Sequence, residues 1–415
     1  MVGATARSGI TVAFVTDLDV DLLVVGAGPA GASAGITAHD HGLDVLVVDK
    51  ARFPRDKTCG DGLTAAALRS LEALGLPIDD LGAALAPVDE AILVSPGGRA
   101  VHLPLPSGGH HTVVVPRAEL DAALVALARR RGVAVREHTA LVGLKEEPDG
   151  TGVVADLGDG SVVRASWVVA ADGHYSPTRR LLRPDAVPSL GEWSAFRQYF
   201  RGVDDPKLWV LFEPDLLPGY AWVFPLPGGR ANVGFGVLRG PGIDGKAIKA
   251  IWLDLLTRAS VRSVLGPHAE PEATHRAWPI PTAYDPERLV DGRVLFTGDA
   301  ASVVDPMTGE GIAQAIETGV LAADAVTRGG DVGTRYRSAV ERNLGRDLRF
   351  ASRLQRVLGH PLGARAAIRA ADLTPWTRRS FARWMFEDYP RAALFTPDRW
   401  TLGMFTPPGA YRPRP

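Results

Sequence analysis

Short runs of branched aliphatics that end abruptly at glycine or aspartate set the pattern of this chain. Residues 21–25 (DLLVV) form an apolar, β-prone run, followed by Gly26-Ala27-Gly28-Pro29-Ala30-Gly31 and then by small residues through Thr37 that suit a tightly packed helix. A second run, 45–48 (VLVV), ends in Asp49 and Lys50. The same punctuation returns at 167–171 (WVVAA), which runs into Asp172-Gly173 and Ser176-Pro177-Thr178-Arg179. It returns again at 293–297 (RVLFT), ahead of Gly298-Asp299-Ala300-Ala301; Pro306, Gly309, Glu310 and Gly311 then precede a helix-like stretch, 312–326. Strands at 194–201, 208–212, 220–224 and 231–237 predict a second sheet, 248–265 reads as a helix, and 335–358 and 364–381 predict closing helices.

Composition narrows the class. The 415 residues carry 46 Lys and Arg against 47 Asp and Glu and are 46% hydrophobic, which describes a neutral globular protein of two or three domains with a large core. That balance argues against nucleic acid as a partner, because phosphate recognition needs a clustered excess of cations. One cysteine forms no internal disulfide and no all-cysteine metal site; no metal site is expected, and the composition suits a reducing cytoplasm. An apolar stretch at 10–15 is followed at once by Asp17 and Asp19 with no cleavage pattern, so residues 1–18 read as a flexible lead-in. No run of 18 apolar residues exists, so no membrane span is predicted, and surface attachment stays open. The 46 glycines and 32 prolines, about a fifth of the chain, favour tight turns over a long helical bundle.

The first glycine cluster has a physical reading. Strand, G-x-G-x-x-G turn and helix open a dinucleotide-binding βαβ unit, in which Gly26 permits the sharp turn, Gly28 lets a pyrophosphate approach the backbone and Gly31 lets helix and strand pack closely. Asp49 lies 23 positions after Gly26, where a ribose-binding carboxylate is expected. The blander reading of Asp49 alone, a helix or turn cap, is the less favoured one.

With GAGPAG, ADG with SPTRR, and GDAASVVDPMTGEG in that order, residues 20–330 resemble the flavoproteins built like aromatic hydroxylases. The resemblance implies FAD, with Gly26, Gly28 and Gly31 facing its pyrophosphate, Asp49 the adenosine ribose, Asp299 the ribityl-phosphate side and residues 309–312, including Gly309, Gly311 and Ile312, the flavin ring. It also assigns Ala30, Lys50, Asp172, Gly173 and Gly298 to the cofactor. Arg117, in Pro116-Arg117-Ala118-Glu119-Leu120-Asp121, matches the Arg-x-x-Leu-Asp helix start whose arginine reaches the cofactor; the less favoured reading of Arg117 by itself is a solvated helix terminus. A glycine-rich turn opening a helix aims free N–H groups and positive dipole at a flavin, which favours the anionic reduced ring.

Two stretches are similar to the geranylgeranyl reductase family. Phe53-Pro54-Arg55-Asp56-Lys57-Thr58-Cys59-Gly60-Asp61-Gly62-Leu63-Thr64 resembles its Lys-x-Cys-Gly-x-Gly-Leu segment, and Pro218-Gly219-Tyr220-Ala221-Trp222-Val223-Phe224-Pro225, with Asn232-Val233-Gly234 after it, its Tyr-x-Trp-x-Phe-Pro strand. Alternation along that strand puts Tyr220, Trp222 and Phe224 on one face. Such an aromatic wall suits an apolar substrate, an isoprenoid chain or a flat polyketide ring, with Tyr220 or Trp222 offering an edge hydrogen bond; the bland alternative is ordinary sheet core. Cys59 read alone is a small buried hydrophobe; in the family motif, with Gly60 beside it at the cofactor, its thiol is placed to supply a proton after hydride transfer. The catalytic candidates are thus Cys59, Tyr220 and Trp222.

The resemblance implies an α/β fold: a Rossmann-like FAD-binding domain assembled from 19–85, 113–185 and 275–328, a mixed-sheet substrate domain from 86–112 and 186–274, and a helical C-terminal region, 329–415. Residues 277–281 match a short return segment to the flavin domain. The implied activity is reduction of carbon–carbon double bonds in an isoprenoid or similarly apolar substrate. The alternative is a monooxygenase acting on an aromatic or polyketide-type secondary metabolite, weakened because Ser302 and Glu310 stand where aromatic hydroxylases carry histidine and glutamine. A flavin-fold protein that only binds a lipid or partner is a third possibility, against which the intact glycines argue. No second G-x-G-x-x-G is visible, so NADPH or NADH binds transiently, or an external reductase or ferredoxin serves. The arginines and aromatic residues of the last forty positions are compatible with a peripheral membrane surface, or with a closing helix and a charged outer face.

Overall fold

The computed structural model describes residues 17–105, 111–187 and 189–400. Its first sheet is built on the aliphatic runs: Val294–Phe296, Val162–Ala170, Asp17–Val25, Val45–Val48 and Ala134–Arg136 lie side by side and parallel. Leu22, Leu23 and Val24 are fully buried, as central parallel strands covered on both faces require. Register matters most here. Val25 sits opposite both Val48 and Ala170, and Ala170 opposite Phe296, so the Gly26, Asp49, Asp172 and Asp299 turns all leave from one edge of the sheet. The first strand starts at Asp17, because 17–20 pair with 162–165; Leu18 and Val20 are part-buried while Asp19 and Asp21 are exposed, a half-buried alternation that the lead-in reading overlooked. The apolar stretch at 10–15 lies outside the described residues.

Helix Pro29–Asp40 starts at Pro29 with Gly28 as its N-cap and packs against helix Ile312–Arg328. Small residues allow the close approach: a Cβ on Gly319 would lie 2.2 Å from both Ala30 O and Ser33 Oγ, and Ser33 Oγ donates to Ile316 O at 3.1 Å.

The second sheet runs in the order Glu270–Pro271, Trp193–Arg201, Arg230–Leu238, Tyr220–Leu226, Leu208–Leu211, Glu90–Val94 and Ala100–Pro104. Strand Arg276–Ile280 pairs with Trp193–Arg201, so the return segment runs within this sheet before it reaches the first. On one face Ala221, Val223 and Phe235 pack on Trp252 and Leu255; on the other Trp222 and Phe224 join a cluster with Ile368, Ala382 and Phe386 of the last helices. The helix expected over 248–265 is two, Gly245–Leu255 and Ala259–Leu265. Arg258 breaks it in an extended conformation, its guanidinium donating to Glu213, Asp215 and Asp254. The expected 335–358 helix begins at Val332 and runs to Leu358 through one π-helical turn, Glu341–Gly345. That expected over 364–381 divides into Pro361–Ala371 and Pro375–Met385, because Thr374 caps the second through Thr377 and Pro375 occupies its first turn. Among the described residues no helix is long and apolar enough to cross a membrane.

Candidate functional site

One cavity, with about 2200 Å³ of empty space counting its open mouth, lies where the two sheets meet. Gly26, Gly28, Ala30, Asp49, Lys50, Arg117, Asp172, Gly173, Gly298, Asp299, Gly309, Gly311 and Ile312 line it, together with Cys59, Gly60, Tyr220, Trp222 and Phe224. Gly31 does not reach the wall. It packs behind the turn, where its Cβ would lie 1.7 Å from Gly26 O. Gly26 itself has φ +100° and leaves no room for a side chain, since its Cβ would meet Ala171 O at 2.4 Å.

The open side of Gly28 faces two cations: a Cβ there would lie 3.3 Å from Arg55 Nη2 and 4.0 Å from Arg117 Nη2. Fully buried Asp121 holds both, accepting from Arg117 Nε and Nη2 at 2.8 and 2.9 Å and pairing with Arg55 Nη1 at 3.2 Å. Two guanidiniums share one carboxylate at a helix N-terminus, so positive charge is left over where the backbone lies bare. Asp49 accepts from Ala27 N and Ala51 N, both at 2.8 Å; it braces the glycine turn while each oxygen keeps a lone pair for a further donor. Lys50 is exposed at the rim. Asp172 Oδ2 accepts from Thr178 N at 2.8 Å, whereas Oδ1 is buried without a partner, and burial pushes this carboxyl above the usual range. Arg179 ties this turn to the next by donating to Ala300 O at 2.8 Å. Lys57, between Asp299 and the ring of Trp278 at 4.2 Å, is pulled down to about 8 by burial.

At the other end the Cys59–Gly62 loop lies on the aromatic wall. A Cβ on Gly60 would touch Phe224 at 3.4 Å and Trp222 at 3.7 Å, and one on Gly234 would meet Trp222 Cζ2 at 2.4 Å, which explains a glycine two positions after Asn232. The wall is continuous, with ring centroids 6.1 Å apart for Tyr220 and Trp222 and 6.0 Å for Trp222 and Phe224. Its donors are engaged inside the protein rather than offered at an edge: Trp222 Nε1 donates to Asn232 Oδ1 at 3.0 Å, and the Tyr220 hydroxyl to Thr308 O. Asn232 Nδ2 in turn donates to Cys59 O and Asp61 Oδ2, each at 2.8 Å, and the Tyr199 hydroxyl to Asp61 Oδ2 at 2.7 Å. Asp61, fully buried at φ +65°, is pushed up to about 6 by burial. This network bolts the loop carrying Cys59 to the second sheet. Burial also pushes the Cys59 thiol up, so it stays protonated at neutral pH.

Residues 305–311 close the cavity. Asp305 Oδ1 accepts from Met307 N and Thr308 N, its backbone C=O accepts from Gly309 N, and its Oδ2 pairs with Arg391. Burial, with the negative charge of Glu387 beside it, pushes Glu310 up to about 8. Arg55, Lys57, Asp61, Tyr199, Asn232 and Arg391 were not among the expected site residues. The first three lie inside the 53–64 motif and Asn232 in the 232–234 segment, both similar to the family; Tyr199 and Arg391 reach the site only through tertiary contacts. Among the described residues no group of three His, Cys, Asp or Glu side chains could hold a metal.

These residues fit a flavin dinucleotide: bare backbone under two spare cations could hold a pyrophosphate, Asp49 and the orphaned Asp172 oxygen could accept from sugar hydroxyls or amide donors, and the glycine turn at 309–311 leaves room for a flat ring. A family model described as FAD binding domain matches residues 19–326. The menaquinone reductase of Mycolicibacterium smegmatis is 32% identical over 82% of this chain and 85% of its own, and digeranylgeranylglycerophospholipid reductase 1 of Methanopyrus kandleri 33% identical over 74% and 80%. A crystal structure of a geranylgeranyl bacteriochlorophyll reductase-like protein from Thermoplasma acidophilum superposes with a TM-score of 0.79 at 23% identity, covering 92% of this chain and all of that one, which shows the shared fold. The chain therefore belongs to the FAD-binding-domain family and, within it, to the geranylgeranyl reductase family of FAD-dependent oxidoreductases.

Proposed function

We propose that this oxidoreductase saturates carbon–carbon double bonds in the isoprenoid chain of a quinone or of a prenylated glycerophospholipid. The observation that carries the reading is the placement of the Tyr220, Trp222 and Phe224 wall in the same cavity as the Cys59–Gly62 loop and the 309–312 turn. The relatives support it, being a menaquinone reductase and a digeranylgeranylglycerophospholipid reductase.

In this reading 19–85, 113–185 and 275–328 hold FAD, while 86–112 and 186–274 hold the substrate. Arg55 and Arg117 clamp the pyrophosphate over Gly28, Asp49 and Lys50 take the adenosine side, and Asp172, Gly173, Gly298 and Asp299 the ribityl side. When bound and reduced, FAD supplies the hydride equivalent that the alkene receives. The wall orients the isoprenoid chain by apolar contact and excludes water, converting an encounter into a positioned reaction. Cys59, its thiol kept protonated by burial, lines the same wall. NADPH or NADH bound transiently, or an external reductase or ferredoxin, renews the electrons.

A cytoplasmic protein with such a substrate works at a membrane surface. Residues 350–386 carry seven arginines against one acidic residue, Asp372. Leu362, Arg365, Arg369 and Leu373 form one exposed stripe that continues into Trp376, facing an anionic lipid surface in this reading. The test is anaerobic: prereduced holoenzyme mixed with menaquinone or a prenylated glycerophospholipid regains oxidised flavin absorbance as the lipid gains two hydrogen atoms. Flavin that stays reduced with both lipids, or oxygen uptake yielding a product heavier by one oxygen atom, overturns the reading.

A further inference from the structure

Glu310 is a cavity-lining carboxyl that meets no hydrogen-bond or ion-pair partner among the described residues. Its backbone is fixed, with Glu310 O accepting from Asp305 N at 2.8 Å and Glu310 N donating to Thr308 Oγ1 at 3.4 Å. Its side chain points to the aromatic wall: Oε1 lies 3.8 Å from the place a Gly62 Cβ would take, and the Phe224 ring lies 3.5 Å from that same place. Among the described residues no hydrogen-bond donor meets the Glu310 carboxyl, whereas its neighbours are engaged: Asp61 by Tyr199, Asn232 and Arg117 N, Asp305 by Arg391, and Glu387 by Thr64 and Gln314. A part-buried carboxyl left free in an apolar cavity keeps its proton and can give it to a reacting carbon.

The charged groups around it agree. From the C-terminal segment Glu387 and Arg391 face it, from its own loop Asp305, from the cysteine loop Cys59, and from the second sheet Tyr220. The one cation among them is committed, since Arg391 pairs with Asp305 at 2.7 Å and with Glu387 at 3.6 Å. Burial and the two neighbouring carboxylates therefore outweigh it, pushing Glu310 up to about 8. Cys59 and Tyr220 are both pushed up from ordinary values that already exceed this, which makes Glu310 the strongest acid of the three that is still protonated at neutral pH.

We propose that Glu310, rather than Cys59, is the catalytic acid of alkene saturation; the inference rests on the function proposed above. The Glu310 O–H bond breaks and a C–H bond forms at the alkene carbon next to the one that receives the hydride equivalent. The two electrons come from the reduced cofactor. The carboxylate left behind regains a proton from water at the cavity mouth.

Glu310→Gln keeps the shape and removes the acid. Expected for this variant, saturated with FAD and reduced before mixing, is single-turnover saturation slowed by about 10²–10⁴-fold. Glu310→Asp recovers part of that loss, and Cys59→Ser slows saturation less than Glu310→Gln does. Wild-type saturation falls about tenfold per pH unit above about pH 8, a limb missing from Glu310→Gln. In FAD-free protein the infrared stretch of a protonated carboxyl disappears near pH 8 and is absent from the variant. Saturation by Glu310→Gln within threefold of wild type, or a carboxyl band that titrates in the ordinary acid range, overturns the proposal. Wild-type enzyme that saturates neither lipid overturns the proposed function instead, and the infrared titration still decides whether Glu310 holds its proton.

Discussion

Arg391 Nε lies 2.7 Å from Asp305 Oδ2 in a pair with both side chains at most 3% exposed, and through it the end of the chain grips the loop that closes the cavity. Arg391 also donates to Met385 O at 3.1 Å and to Thr308 Oγ1 at 3.3 Å, while the other oxygen of Asp305 accepts from Met307 N and Thr308 N. Each charge is fully surrounded by partners, the condition under which a buried pair repays its desolvation.

Removing one member strands the other. Arg391→Met is expected to destabilise the protein by about 3–5 kcal/mol, the range for an uncompensated buried charge, and to weaken FAD binding because the 305–311 loop loses its anchor. Adding Asp305→Asn should restore part of the loss. Urea unfolding of the FAD-loaded single and double variants measures this; purely additive losses would show that the two residues act separately.

Arg55 stands over Gly28 with Arg117, and both share Asp121. A hydrogen bond from a charged donor contributes about 1.5–3 kcal/mol, so Arg55→Ala should raise the FAD dissociation constant by about ten- to a hundredfold. Added salt should weaken wild-type binding more than that of the variant. Fluorescence titration of the FAD-free protein reads both; an unchanged constant would remove Arg55 from the pyrophosphate site.

The parts of this site legible in the sequence are those whose chemistry is local. Gly26, Asp49, Asp172 and Asp299 announce themselves because each follows an aliphatic strand, and the parallel register then brings them to one edge without further information. Asp61 and Tyr199, 138 positions apart, meet only because the second sheet folds over the 53–64 loop, and no periodicity encodes that distance. The helix break at Arg258 had the same origin, since the acids holding it include Glu213 and Asp215 on another element. Tyr220 and Trp222 were read as offering donors, but their partners Thr308 and Asn232 are tertiary neighbours invisible to alternation along a strand.

Glu310 also leaves a trace in stability. Its carboxyl is raised in the folded state from an ordinary 4.5 to about 8, so between those values the native protein binds more protons than the unfolded chain and stability falls as pH rises. Below about pH 4 both states are protonated and nothing is lost. Glu310→Gln should therefore match wild type at pH 4 and exceed it at pH 9, by on the order of a few kcal/mol before solvent screening reduces it. Thermal unfolding of FAD-free protein at the two pH values checks the sign; a variant less stable than wild type at pH 9 would mean the carboxylate is held by a favourable partner.

Leu362, Leu373 and Trp376 are 66%, 73% and 64% exposed, and Arg365 and Arg369 lie between the first two on the same helical face. Among the described residues no acidic side chain pairs with Arg353, Arg356, Arg365, Arg369 or Arg379, although the chain as a whole carries a net charge of −1. Ile368 and Ala382, on the inner sides of these helices, belong to the same apolar cluster as Trp222 and Phe224, so the outer stripe and the aromatic wall are opposite sides of one layer. Each cation near an anionic bilayer contributes about 1 kcal/mol, so reversing two of them in Arg365→Glu with Arg369→Glu should reduce binding to phosphatidylglycerol vesicles by more than a hundredfold. Trp376→Ala should weaken it further at high salt, where charge is screened and apolar insertion remains. Co-sedimentation with phosphatidylglycerol and phosphatidylcholine vesicles separates these terms, and equal binding to both lipids, or none by wild type, would return the stripe to the role of a solvated helical face.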